Sequence, residues 1–347
     1  PAPVRTGRNG QIVQNLNPAV IRMAHPLAFM AFLEHIGAPV EDYFRRQGLP
    51  TLCRDPNAFV PLRMAWGLFN DVARREDNEA GWHVGRFVGD HNMAAPVLKK
   101  LESAITLYRA LHRLVRMINA EASHLQLGIV ERHFDVLFYT YYPGMRDEPG
   151  YRESQAYQLE VYVDLIRHFA GYSWLPAEIG IEATEVPALL RAQFADCNVR
   201  VNQPFGYIAI ERSWLHKKLR SKHTEAEACS RRLVLLDELD YAETLSALLE
   251  PYLPQGYPNM RFAADLVDAS PRTLTRRLAE CGTRYQILVD ELRFRKSQTL
   301  LLETGMPINE IAWSVGFTDQ ANFTRLFRRV AGIGPRALRQ AERQTLH

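Results

Sequence analysis

The sequence predicts an α+β domain with a mostly antiparallel sheet over residues 18–220, followed by an all-α domain over 241–347 in which two helix-turn-helix units are joined by a long helix. Three observations carry this prediction. Between 18 and 220 the hydrophobic spacing switches between the helical period and the alternation of strands. After about Tyr241 only the helical period remains. One short pattern of helix, turn and helix recurs there, with its second helices starting about 49 residues apart. With 347 residues, 47% of them hydrophobic, the chain is long enough for about two domains and apolar enough to give each a core.

The elements follow in order. Residues 21–46, 61–75 and 101–120 carry apolar residues at helical spacing, and in the last of these Leu101, Ile105, Tyr108, Leu111, Leu114, Val115 and Ile118 form one stripe. The period then changes. Residues 123–131 and 133–142 are rich in branched and aromatic side chains and read as a hairpin, closed by Pro143-Gly144. Residues 151–172 read as a helix with Leu159, Tyr162, Ile166 and Phe169 on an inner face and Glu160, Asp164, Arg167 and His168 on a polar outer one. Strands are expected at 178–182 and 206–211, with a helix at 186–194 between them. The stretch 221–230 is polar and unpatterned, and 221–240 is taken as a linker.

In the C-terminal part, Phe262, Ala263 and Leu266 make the first short helix face. Asp268-Ala269 is a turn, Ser270 a good N-cap and Pro271 the favoured first helical residue. The next helix buries Leu274 and Leu278 and leaves Arg272, Thr275, Arg276 and part of Arg277 outside. The pattern repeats with Ile308, Ile311, Ala312 and Val315, a turn at Gly316, and a cap at Thr318 or Asp319. There Phe323, Leu326 and Phe327 point inward, while Gln320, Asn322, Thr324, Arg325 and Arg328 point outward. Between the two lies an amphipathic run, 284–303, with Ile287, Leu288, Leu292, Leu300 and Leu301; twenty helical residues span about 30 Å. Helices held at that separation match successive major grooves on one face of B-DNA, about 34 Å apart. Charge agrees with this: 251–347 hold 14 Lys and Arg, 13 of them Arg, against 9 Asp and Glu, whereas the rest of the chain holds 28 against 30.

The run from Glu310 through Ile311-Ala312 and Gly316-Phe317-Thr318-Asp319 to Phe323, Arg325, Phe327-Arg328-Arg329, then Gly332 and Gly334-Pro335, resembles the signature of AraC/XylS-type transcription regulators over about 100 residues, 241–339. Two departures stand out. Gly334 replaces the usual Ser or Thr before Pro335, which weakens a side-chain cap, and Asp268 stands where the first turn usually has Gly, a position Asp tolerates better than most residues. The resemblance implies helix-turn-helix units at 261–280 and 308–329 that bind double-stranded promoter DNA. By position, Arg272, Thr275 and Arg276 of the first recognition helix and Gln320, Asn322, Thr324 and Arg325 of the second meet base edges. Arg277 and Arg328, farther along their helices, meet phosphate. It implies RNA polymerase as a further partner.

Residues 18–220 are similar, in the order of their elements and in fragments such as 33–37, 55–61 and 101–114, to the arabinose-binding-labelled domain of ornithine-utilisation and some virulence regulators. The resemblance implies an effector-binding and dimerisation domain. It does not name the effector. Tyr139, Tyr141, Tyr142, Tyr151, Tyr157 and Tyr162 cluster in sequence. Of these, Tyr139, Tyr141, Tyr157 and Tyr162 are the candidate lining of a pocket for a small, mainly apolar effector with a polar or anionic end; the plainer reading is that they are half-buried tyrosines of a sheet–helix interface. A regulator whose N-terminal domain only dimerises or holds a protein partner is the rival reading. An enzyme is not expected. No G-x-S-x-G turn is present, and Cys53, Cys197, Cys229 and Cys281 are too far apart for the zinc module of DNA-repair alkyl-transfer proteins. Asp164 and His168 lack a third ligand and read as a solvated pair, and His83 and His91 have no ligand spacing, so no metal or cofactor is expected. Scattered thiols, a polar start at Pro1-Ala2-Pro3-Val4-Arg5 and no apolar span of membrane length point to a cytoplasmic protein without a signal peptide.

Overall fold

The computed structural model describes residues 17–101, 103–117, 120–218, 236 and 239–345. The expected linker therefore lies outside the described residues except at Leu236, Leu239 and Asp240, and so do Cys229 and the first sixteen residues. The chain divides into two units, Val20–Glu238 and Leu239–His347 together with Pro1–Ala19.

In the first unit, β1 (Val20–Arg22) pairs antiparallel with β2 (Phe59–Pro61), α1 (Ala24–His35) and α3 (Leu62–Arg75) pack against that pair, and α2 (Val40–Arg46) packs against α1 and α3. The single helical stretch expected over 21–46 is thus a strand and two helices. Gly37 takes a left-handed φ of 75°, and Pro39 supplies no N–H where a continuous helix needs one. After α4 (Ala80–Asp90), α5 (Ala95–Leu101) and α6 (Leu107–Met117) comes the expected hairpin, β3 (Gln126–Glu131) and β4 (Asp135–Tyr141). The long helix α7 (Tyr151–Ala170) follows, then β5 (Glu178–Gly180), α8 (Ala188–Gln193), β6 (Asn198–Arg200) and β7 (Gly206–Glu211). The five-stranded sheet has the order β3-β4-β7-β5-β6 and is antiparallel except for β5 with β6, as the predicted fold class requires.

The helix α7 corrects the sequence reading most. Its supposed outer face is buried: Glu160 is 4% exposed and His168 7%. The cause is α4, which lies along that face and presents Gly81, Gly85 and Gly89 to it at spacings of four. A Cβ added at Gly85 would stand 2.6 Å from Glu160 Cβ and 2.9 Å from the Tyr157 carbonyl, and one at Gly81 would stand 2.4 Å from the Glu153 carbonyl. The helices touch backbone to backbone, so α7 is covered on both sides, by α4 and by the sheet. Asp164 and His168 are accordingly not a solvated pair. The His168 Nδ1 lies 2.9 Å from its own Asp164 carbonyl and 3.9 Å from the Asp164 carboxylate, and Nε2 meets the Tyr172 hydroxyl at 3.2 Å.

The second unit is all helix: α9 (Tyr241–Leu249), a 3-10 turn at Glu250–Gln255, α10 (Met260–Leu266), α11 (Pro271–Glu280), α12 (Tyr285–Glu303), α13 (Ile308–Ser314), α14 (Gln320–Ala331) and α15 (Pro335–Thr345). Asp240 and Glu243 close a capping box on α9. The first helix pair buries Ala263, Ala264, Leu266, Leu274 and Leu278. The second buries Ile311, Ala312, Val315, Phe323 and Phe327 together with Leu301 of α12, and Phe294, Leu300 and Phe317 pack against them. Of the expected apolar residues of α12, Ile287 faces solvent.

Candidate functional site

The two helix-turn-helix units end their first helices in the same way. Asp268 and Gly316 both adopt a left-handed φ, 49° and 80°, and the next N–H reaches back five residues: Ala269 to the Ala264 carbonyl and Phe317 to the Ala312 carbonyl, both at 2.9 Å. Asp268 thus holds the conformation expected of it. Glycine is needed at 316 for a second reason, since a Cβ there would stand 2.6 Å from the Leu253 carbonyl and 2.7 Å from that of Gly256. The second helices are capped by side chains, Ser270 Oγ accepting from Thr273 N at 3.1 Å and Asp319 Oδ1 from Ala321 N at 2.9 Å.

These turns aim α11 and α14 so that their polar faces stand clear. Arg272, Thr275 and Arg276 are exposed on α11; Gln320, Asn322, Arg325 and Arg328 are exposed on α14, with Thr324 half-buried. Arg276 Nη1 pairs with Glu280 Oε1 at 2.6 Å, and Arg325 Nη2 donates to Asn322 Oδ1. The hydroxyls of Thr275 and Thr324 donate to the carbonyls of Pro271 and Gln320 four residues back. Arg277 is set apart from the others: it is half-buried and its guanidinium lies over the Tyr241 ring at 5.0 Å, so it ties α11 to α9 and does not project with the rest.

Arg293 is a residue the sequence reading did not single out. It lies on α12, 5% exposed, with its guanidinium between Phe317 at 4.1 Å and Tyr257 at 4.8 Å. Its Nη2 donates to the Gly316 carbonyl, and burial lowers its pKa from the usual guanidinium value. Tyr257, just before α10, in turn donates to Gln286 Oε1 at 2.9 Å. One buried cation therefore fastens the second turn to the chain that enters the first helix pair. An Arg four residues after Val289 and next to Leu292, on the apolar spacing of α12, was the available signal. Arg329, by contrast, reaches Asp290 of α12 at 2.6 Å and braces α14 from outside.

In the first unit the four candidate tyrosines do not meet. Strand alternation sends Tyr139 and Tyr141 to one face of the sheet, beside Phe205, while Tyr157 and Tyr162 of α7 are buried against Phe29 and Phe138 on the other. A cavity of about 460 Å³ opens elsewhere in this unit, lined among others by Trp82, Arg146, Tyr151, Glu153, Gln155 and Glu182. Three of its acids are held by the protein. Glu182 accepts from Tyr151, from Gln155 at 2.6 Å and from Arg146 at 3.2 Å, Glu79 caps α8 through Ala188 N and Leu189 N, and Glu153 takes Gly81 N at 2.7 Å. Burial pushes the Glu153 carboxyl up to about 7. A second cavity, of about 170 Å³, is lined by α4, α7 and α8 residues including Glu160, Asp164 and Gln193. Among the described residues, no group of three or more His, Cys, Asp and Glu is placed to hold a metal ion, and no helix is long and apolar enough to cross a membrane.

Two helix-turn-helix units of one design, joined by a single helix on a chain that also holds an α+β unit, define a DNA-binding regulator of the double helix-turn-helix class. Comparison with known proteins agrees. The profile described as "Helix-turn-helix domain" matches residues 263–341, and that described as "Arabinose-binding domain of AraC transcription regulator, N-term" matches 37–219, more than half of the 347 residues. The chain belongs to the AraC family of transcription regulators. It is 31% identical over 144 residues to the ornithine utilization regulator of Pseudomonas aeruginosa, a match covering 40% of this chain and only 42% of that one. It is 24% identical over 340 residues to the HTH-type transcriptional regulator VirS of Mycobacterium tuberculosis, covering 92% and 96%. The crystal structure of the transcriptional regulator CdpR from Pseudomonas aeruginosa aligns over 86% of this chain and 96% of that one at 18% identity and a TM-score of 0.33, a score that by itself establishes no shared arrangement.

Proposed function

We propose that this AraC-type regulator reads its promoter by laying α11 and α14 into successive major grooves, and that the unit over residues 20–238 binds a small-molecule effector and supplies a homodimer contact. The observation that carries the DNA reading is the twofold turn geometry with a polar, Arg-bearing face on each second helix. The 19 residues of α12 span roughly 28 Å, close to one turn of B-DNA. Arg276 and Arg325 reach base edges, with Arg272, Thr275, Gln320, Asn322 and Thr324 beside them, and Arg328 meets phosphate. Arg277 drops out of the set, because its place is on Tyr241. RNA polymerase is the partner that converts occupancy into transcription, and the effector acts by favouring one arrangement of the dimer over another.

Arg276→Ala and Arg325→Ala are each expected to weaken promoter binding by about 1–3 kcal/mol and to flatten discrimination at one or two base positions. Arg328→Ala is expected to weaken all duplexes alike and to reduce the steep negative slope of log affinity against log salt by about one. Titration of single-base promoter variants by fluorescence anisotropy checks both. Equal losses on every variant for Arg276→Ala and Arg325→Ala would make them phosphate contacts, and equal affinity of the parent chain for promoter and random duplex would end the specific-regulator reading.

A further inference from the structure

The first unit carries one surface whose charge opposes its own composition. Helix α6 buries Leu107, Ala110, Leu111, Leu114 and Met117. Its other side presents Arg109, Arg113 and Arg116 on successive turns, with the exposed His112 among them, and the helix contains no acidic residue. Arg113 donates to Ser103 Oγ. The segment 212–218 lies at the start of the same helix. There the Leu107 and Tyr108 N–H groups donate to the carbonyls of Lys217 and Leu215 at 2.9 and 3.0 Å, which brings the exposed Lys217 and Lys218 to that end of α6. Lys99 and Lys100 stand in the last turn of α5, which packs against α6. Residues 99–116 and 212–218 together hold eight Lys and Arg and a single acid, Glu102, whereas the rest of residues 1–250 hold 20 against 29. Among the described residues, only Arg212 of the eight has a carboxylate partner, Glu131 at 3.1 Å. The patch is a concentration of positive charge within an otherwise acidic stretch.

This arrangement works against the helix that carries it. Arg109 and Arg113, four residues apart, repel each other, and Arg109 stands in the first turn, where the helix dipole favours an acid. A solvated helix face relieves such repulsion with acids one turn away, and α6 has none. A partner of opposite charge relieves it instead. Duplex DNA carries one negative charge for about every 1.7 Å of its axis, so the rise from Arg109 to Arg116, about 10 Å, faces about six phosphates. A second copy of this chain meeting the face across a twofold axis would set arginines against arginines. The chain also keeps the face near its promoter. Twenty residues separate Lys218 from Leu239, where the second unit begins. Fully extended, they reach about 70 Å at most, and a weak phosphate contact on such a tether gains from a high effective concentration.

We propose that the α6 face of the first unit, built from Arg109, Arg113, Arg116, Lys217 and Lys218, is a second DNA-contacting surface, which holds the phosphate backbone of the duplex while α11 and α14 read its bases. The proposal rests on the reading of the chain as a DNA-binding regulator, and it is independent of which bases the recognition helices meet.

The test is fluorescence anisotropy of the full chain on promoter and on random duplex over a range of salt, both duplexes extending well beyond the shortest promoter fragment the chain binds. Arg109→Gln/Arg116→Gln/Lys218→Gln removes three exposed cations and keeps most of each stem. It is expected to melt with the parent, to lose affinity for both duplexes by the same factor, and to reduce the slope of log affinity against log salt by about two to three, near 0.9 for each phosphate released. Arg54→Gln/Arg74→Gln/Arg86→Gln makes the same change of net charge at other exposed positions and is expected to keep the parent slope. Arg109→Lys/Arg116→Lys, still charged, is expected to keep it too. An unchanged slope in the first variant, or an equal drop in the second, overturns the surface. So does a drop that sedimentation traces to a dimer falling apart, which would make the face an interface between copies. An unchanged slope with a loss of transcription by purified RNA polymerase would assign the face to an acidic protein partner and overturns it as well. A parent chain that binds promoter and random duplex alike ends the specific-regulator reading, and the slopes still decide the face.

Discussion

Arg293→Ala is expected to destabilise the C-terminal unit by about 3–5 kcal/mol and to abolish promoter binding, although residue 293 faces no DNA in the proposed mode. The change removes a cation from between the rings of Tyr257 and Phe317, strips the Gly316 carbonyl of its donor and opens a void beside the second turn. A desolvated cation–π contact is worth about 2 kcal/mol, and the partly buried Gly316 carbonyl loses a hydrogen bond to a charged group, worth about 1.5–3. Against a total of about 5–15 kcal/mol for a typical domain, this is a large fraction. Arg293→Lys should fall between, since a lysine keeps the charge but neither the flat stacking surface nor the direction of the donor. Urea unfolding followed by tryptophan fluorescence, with anisotropy on the promoter duplex, measures both effects. If Arg293→Ala unfolds within half a kcal/mol of the parent and binds the promoter as tightly, the buried guanidinium has no structural role.

The second large effect is expected at Gly150→Ala, about 3–5 kcal/mol in the first unit. Gly150 caps α7 with φ 84°, and a Cβ there would stand 2.0 Å from the Trp66 carbonyl oxygen and 2.7 Å from its carbon. Neither the cap nor the Trp66 backbone, inside α3, can retreat without moving a helix. Gly144→Ala is the internal control. Its φ is 73°, but nothing lies within 4 Å, so only the left-handed penalty of about 1–2 kcal/mol applies. If the two substitutions cost the same, the contact with Trp66 contributes nothing and the conformational term is the whole effect.

The C-terminal unit was legible because each of its rules acts locally. Caps at Ser270 and Asp319, the turns at 268 and 316 and the apolar spacing of α11 and α14 depend on neighbours in sequence, and the structure keeps them. The first unit was misread where tertiary packing reverses what a single helix announces. Glu160 and His168 look like a solvent face until α4 is laid on them, and α4 itself escaped notice because it meets α7 through glycines, not a stripe of large apolar residues. The spacing of Gly81, Gly85 and Gly89 was the signal available. The tyrosines misled for a different reason. They are close in the chain, but period-2 alternation on β4 and the turn into α7 send them to opposite sides of a sheet. The cavities are formed by residues from α4, α7 and the segments after β5, which no window of sequence brings together.

The pairing of Arg276 with Glu280 and of Arg325 with Asn322 bears on how choice between sequences would arise. Long arginine side chains ordinarily surrender up to about 2 kcal/mol of rotamer freedom when a base fixes them. Here each is already lying along its own helix on a neighbour four or three residues away. Under the proposed mode, docking becomes an exchange of partners in which a small part of that freedom, on the order of the 0.3–0.5 kcal/mol an exposed helical pair is worth, has been given up in advance. A wrong base fails the exchange outright, since the arginine then keeps its intrahelical partner and gains nothing. Discrimination in such an arrangement is set by the difference between a base contact and a weak intrahelical one, and Glu280 and Asn322, through their hold on the arginines, set a low threshold that a base must exceed.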